Sequence, residues 1–387
     1  MSANLFPKSV RPVRRGRGFS LVELMVGVAV GLLSTVVIAT ILARSEQQKR
    51  NSSAGSDAQI AGSLALYEME RSLRSGGYGL TTDVGGMGCT LTANFKGSAA
   101  AGAPANVVPA LIVPGADGAP PSLTVMRITT SRASLPAPVR APYFNPTGGG
   151  SVSNTVVVNT TMGMAANDLL LVVRPPADVS AAVGTCTVMQ ASALLADGIS
   201  ITRTEDAAWN GAGVMPSTLQ AGDYVVDMGD LEALTFSIDR ESTGSSVYQL
   251  NLNTYSLASR TSTVRNLQNG VVDFRVLYGF DTSGSGVAST FNTSTPTTAN
   301  GWRSLRAIRL AVLARSVQFE KDVVTSSAPL WNVGTAATVS GAVDCGSSKC
   351  IAMRANLKDA DDEEWKHYRY KLFDMVIPLN NQIWHSD

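Results

Sequence analysis

Residues 24–42 form a run of 19 positions without a charged side chain. As a helix rising about 1.5 Å per residue, that run comes close to the thickness of a bilayer's hydrocarbon core. One transmembrane helix is therefore expected. Beyond Leu42 the continuous apolar pattern gives way to a periodic one. Ile60, Leu64, Tyr67 and Arg71 recur at helical spacing, and Ala61, Ala65, Met69 and Leu73 form an adjoining stripe. Residues 51–57, Asn-Ser-Ser-Ala-Gly-Ser-Asp, are poor helix formers and are expected to bend or locally melt the rod. Gly76-Gly77 makes a stop. The expectation is one long helix, its first half apolar throughout and its second half amphipathic.

Further along, the period changes from helix to strand. Glycine, alanine and proline dominate residues 78–121, which read as loop. Residues 123–130, 168–174 and 231–239 are short β-rich runs, and 247–252 is placed to form a hairpin with the last of these across residues 241–244. The clearest alternation is Val272, Phe274, Val276, Tyr278 and Phe280, with Asp273 and Arg275 between them. Five bulky residues at period two predict a strand with one buried face. Ile308, Leu310 and Val312, then Tyr370 and Leu372, predict two more. Residues 91–121 and 281–301 are biased toward small and polar side chains, as surface loops are. The fold class is α+β: a long N-terminal helix followed by a mainly antiparallel β-sheet head.

Composition narrows the setting. At 387 residues, 44% hydrophobic and 16% charged, the chain can bury one or two ordinary cores. A net charge of +1 decides little, but its distribution is informative. Lys8, Arg11, Arg14, Arg15 and Arg17 place five positive charges and no acid in the first 18 residues, a cytoplasmic flank under the positive-inside rule. A cleaved secretory signal also begins with a basic region, but its apolar core is usually shorter, and Ala43-Arg44-Ser45 is a poor cleavage site.

With the C-terminal part translocated, Cys89, Cys186, Cys345 and Cys350 meet an oxidising compartment, and an even count fits two disulfides. Four cysteines allow three pairings, and the sequence does not choose among them outright. The turn-forming run Gly346-Ser347-Ser348-Lys349 can bring Cys345 and Cys350 together, which leaves Cys89 with Cys186. Zinc is the weaker reading, since the C-x4-C spacing supplies only two ligands with no histidine near.

Catalytic chemistry has little to stand on. His367 and His385 sit in no metalloprotease or nucleophile-elbow context and read as surface residues. Gly76-Gly77-Tyr78-Gly79 follows a helix instead of opening one, so it is no phosphate loop. Asp359, Asp361, Asp362, Glu363 and Glu364 lack the spacing of a calcium loop and read as a solvated acidic turn. Trp302, Arg303, Arg306 and Arg309 could touch nucleic acid, but arginines alternating on a strand more often face water, and no specific nucleic acid is expected. No enzyme activity and no cofactor are expected.

Glu23 is different. An ionised carboxylate at membrane depth costs roughly 2.5–3.5 kcal/mol on the mild insertion scales, so it demands a partner. Cleavage between Gly18 and Phe19 would create a free amine four residues away, on the same helix or a neighbouring copy. In low dielectric the attraction between the two offsets the desolvation of both. Gly27 and Gly31 form a G-x-x-x-G that permits close helix approach.

These residues carry a resemblance. Gly18-Phe19-Ser20-Leu21-Val22-Glu23 resembles the class III signal of type IV prepilins and type II secretion pseudopilins, cut by a prepilin peptidase. The resemblance implies that Phe19 becomes the N-methylated first residue and that Glu23 serves assembly. It divides the chain into a leader at 1–18, a transmembrane half at 19–42, an amphipathic half at 43–75 and a periplasmic head at 76–387. Residues 269–281, 305–316 and 369–381 are similar to the PilW family of minor pilins, whereas residues 91–230 carry no such motif. The family implies a low-abundance subunit of a priming or tip complex in the inner membrane, supporting twitching motility, attachment and DNA uptake. Its implied partners are other minor pilins, the major pilin, the assembly platform and membrane lipid. A J-type pseudopilin of type II secretion, and a membrane-anchored periplasmic binding or adhesive protein that never polymerises, are the alternatives.

Overall fold

The computed structural model describes residues 18–80, 86–129, 135–148, 150–211, 215, 218–242, 245, 247–355 and 363–383. The basic leader up to Arg17, the acidic residues Asp359, Asp361 and Asp362, and His385 lie outside them. One helix, Leu21–Ser75, opens the fold. Helical backbone runs unbroken through 51–57, so the expected melting there does not occur. The helix ends where predicted: the Gly76 N–H donates to Leu73 O at 3.0 Å, and Gly77 takes φ +79°, which glycine adopts without strain. The chain divides into two units, 1–53 and 54–387.

In the second unit the helix is buried along one stripe only. Ala58, Ala61, Ala65, Met69 and Leu73 are 5% exposed or less, while Ile60, Leu64 and Tyr67 are about half exposed. The stripe of small residues therefore faces the core. Its smallness is used: a Cβ on Gly62 would lie 2.0 Å from the Phe373 ring, so only glycine lets that ring seat against the helix. Ala58 and Ala61 pack with Ala314 and Phe373. Leu66, Met69 and Leu73 enter the main core with Phe274, Val276, Tyr278, Leu310 and Val312.

Among the described residues three five-stranded sheets, mostly antiparallel, make up most of the head. The first runs in spatial order Thr261–Asn269, Tyr248–Ser256, Leu231–Arg240, Ser122–Ile128, Ala110–Val113. The predicted hairpin is present, with Arg240 opposite Tyr248. The C-terminal sheet runs Ala337–Thr338, Thr290–Asn292, Val271–Phe280, Leu305–Arg315, Tyr370–Pro378. A third contains Leu169–Arg174 and Thr185–Gln190, to which Thr90–Thr92 adds in parallel, with Leu91 opposite Cys186. Cys89 pairs with Cys186 (Cα–Cα 5.6 Å) and Cys345 with Cys350 (5.8 Å). The second bridge closes the turn between Val343–Cys345 and Ser348–Ala352, strands of a small three-stranded sheet.

Several expectations are corrected. Residues 78–121 are not all loop. Ala110–Val113 is an edge strand, and Val107, Val108, Ala110 and Ile112 are at most 4% exposed. The 281–301 stretch likewise contains Thr290–Asn292 and enters a short helix, Ala299–Arg303, capped by the Thr298 hydroxyl. Val271–Phe280 buries both faces, not one. Phe274, Val276 and Tyr278 face the main core, and Val272 and Leu277 join Leu313, Trp331 and Val333 under the small disulfide-closed sheet. A second layer on the far side of the strand removes the solvent face that alternation predicts.

Candidate functional site: the helix start and the C-terminal sheet

Polypeptide that enters a helix leaves its first N–H groups without partners. Here Ser20 and Glu23 supply them for each other. The Glu23 N–H donates to Ser20 Oγ at 3.1 Å, and the Ser20 N–H donates to Glu23 Oε2 at 3.2 Å. This is a capping box, legible in the S-x-x-E spacing but passed over when Glu23 is read only as a stray charge. Ser20 is thus a site residue that the sequence reasoning missed. Gly18 and Phe19 stand just before the cap, Phe19 at 87% exposure. Among the described residues no hydrogen bond reaches Glu23 Oε1, so one carboxylate oxygen stays available to a cation.

From this cap the helix continues as Leu21–Glu46, with mean hydropathy 2.4, long and apolar enough to cross a membrane, and none of it is buried within the protein. Its hydroxyls bond inward: Ser34 to Val30 O, Thr35 to Leu32 O and Thr40 to Val37 O, each at 2.8 Å. Such bonds satisfy polar groups where no water is available. Gly27 and Gly31 have open space where a Cβ would be. One apolar N-terminal helix of this kind is compatible with a membrane anchor.

The other region singled out by sequence, residues 269–381, is tied together by a partly exposed ion pair that also bonds backbone carbonyls. Arg309 donates to both Asp374 carboxylate oxygens (3.1 and 2.6 Å) and to the carbonyls of Val333 and Asn332 (2.7 and 2.9 Å), tying the small sheet to the C-terminal sheet. Trp302 is 2% exposed, edge-on to Tyr278 and against Gly88, where a Cβ would lie 2.2 Å from the indole. Arg306 is buried as well. Arg306 and Arg309, expected to face water, are therefore structural. His367 is not a free surface group either: Nδ1 lies 2.8 Å from Glu320 O, and the ring stacks on Phe319.

Asp273 departs furthest from its sequence pattern. Predicted on a polar face, it is fully buried, with Oδ2 accepting from Arg275 Nε (2.9 Å) and the Arg354 N–H (2.7 Å). Burial pushes its carboxyl up to about 6, against the pull of the Arg275 charge. Burial also raises the Tyr278 phenol, whose oxygen accepts the Ile112 N–H at 2.8 Å. Among the described residues no cluster of three or more His, Cys, Asp and Glu side chains could hold a metal ion.

The family model described as Type IV Pilus-assembly protein W matches residues 235–381, a span from within Leu231–Arg240 to just past Tyr370–Pro378. No curated protein and no solved structure matches the chain. Over its C-terminal part the chain is similar to this pilus-assembly family, a similarity that supports a part in type IV pilus assembly and pilus-system partners in general.

Proposed function

We propose that this chain is a minor-pilin-type subunit, processed between Gly18 and Phe19 by a prepilin peptidase, anchored by its apolar helix and inserted into the pilus through Glu23. The observation that carries the reading is the reciprocal cap at the head of an unburied apolar helix, in a chain whose C-terminal sheet is PilW-like. The cap holds the carboxylate at the helix start, where the amine of a processed Phe19, its own or a neighbour's, can reach Oε1. Pairing of that kind sets the axial register of adjacent helices.

In this reading the basic leader stays in the cytoplasm and the disulfide-bonded head lies in the periplasm. The half-exposed stripe Ile60, Leu64 and Tyr67 is surface for neighbouring subunits, and the chain catalyses nothing itself. It helps prime assembly together with other minor pilins, and so supports motility and attachment. Replacing Glu23 by Ala in the source bacterium tests this. Pilus number and twitching should fall sharply while the protein still reaches the membrane; unchanged piliation and motility would contradict the assembly role.

A further inference from the structure

A pocket of about 210 Å³ lies at a seam of the head, lined by Ile112, Gly115, Ala119, Arg275, Leu277 and Ile351 among others. Besides Thr293, Val339 and Ser340, it brings together the Ala110–Val113 strand with the loop after it, the central Val271–Phe280 strand, and the disulfide-closed hairpin carrying Ile351. Asp273 ties these last three. Through Oδ2 it holds Arg275, whose guanidinium donates to the carbonyls of Gly118 (2.8 Å) and Ala119 (3.3 Å) in the loop. Through the same oxygen it accepts the Arg354 N–H, just beyond the hairpin.

Its second oxygen, Oδ1, is buried and, among the described residues, has no hydrogen-bond partner. Among the described residues the charged groups that face the carboxyl are Arg275 on its own strand and Arg354 beyond the hairpin; the paired strand places Leu313 opposite it. A buried carboxylate oxygen without a partner is a standing cost, relieved either by a proton or by water.

We infer that Asp273 is a proton-linked lock on this seam: protonated it keeps the seam shut, and ionised it favours an opening that admits water to Oδ1. The direction follows from linkage. A carboxyl that titrates near 6 when enclosed and near its ordinary 3.8 when hydrated releases a proton as the seam opens. Opening is therefore favoured as pH rises from about 4 through 6 and levels off above. Between pH 7 and pH 5 the opening equilibrium should fall about tenfold.

Hydrogen exchange by mass spectrometry on the full-length protein in detergent micelles reads this directly. After correction for intrinsic rates, the amides of residues 110–121 and 351–355 should gain about tenfold protection from pH 7 to pH 5. The Thr261–Asn269 edge strand should not. In Asp273→Asn, which carries no charge at either pH, the two seam segments should show equal protection at both. Seam protection that is level or falls with acid in the wild type overturns the lock, as does a tenfold gain that persists in a folded Asp273→Asn. Should that variant not fold, the wild-type direction alone decides.

Discussion

Ser20 and Glu23 cap each other's backbone, hydroxyl oxygen to N–H at 3.1 Å and carboxylate to N–H at 3.2 Å. With the proposed assembly role, Glu23 would have two separable parts to play, a neutral one in the cap and a charged one toward an amine. Glutamine can occupy the third helical position of a capping box as glutamate does. Glu23→Gln should therefore keep helix-start amide protection near wild type yet lose pilus assembly. Ser20→Ala should do the reverse to the cap, weakening it by about 1 kcal/mol, read as faster exchange at the Glu23 amide.

Gly62 and Gly55 sit on the same helix and should respond oppositely to alanine. At Gly62 a methyl meets the Phe373 ring at 2.0 Å, and the repacking should cost about 1–3 kcal/mol in thermal denaturation of the head. At Gly55 nothing lies within 4 Å, and alanine should stabilise the helix by about 0.5–1 kcal/mol.

The two disulfides close loops of very different length, with sequence separations of 97 and 5. On chain entropy alone the longer loop contributes about 4.7 kcal/mol and the shorter about 2. Removing Cys89 and Cys186 together should lower the head's denaturation midpoint much more than removing Cys345 and Cys350 together. Equal losses would show that native packing, not the unfolded chain, sets the effect.

Tyr278→Phe should cost about 1–3 kcal/mol by equilibrium unfolding, because the Ile112 N–H loses its acceptor in a buried place. A loss confined to the packing of an isosteric ring would be far smaller.

Elements with an unambiguous period were legible in the sequence. The helix stop at Gly76-Gly77, the Leu231–Arg240 hairpin and the Val271–Phe280 strand all stand where alternation and turn chemistry put them. What periodicity lacks is knowledge of the second layer. Alternation assigned Asp273 and Arg309 to water, whereas the disulfide-closed hairpin sheet lies over that face and makes Asp273 a buried tie and Arg309 a partly buried one. Two helical stripes fitted the segment after residue 58 by spacing, and packing against Phe373 and the main core selects the alanine side. The strand Ala110–Val113 was hidden in a stretch dominated by alanine, glycine and proline. At the helix start the carboxylate's chemistry was legible, but its partner Ser20 was overlooked.

The central claim is that the helix start is a processed assembly signal, and intact-mass analysis of the protein from purified membranes tests it most directly. A mature chain that begins at Phe19 and carries one methyl group on its amine is the expected result. An N terminus at Met1, or one beyond Ala43, would contradict it.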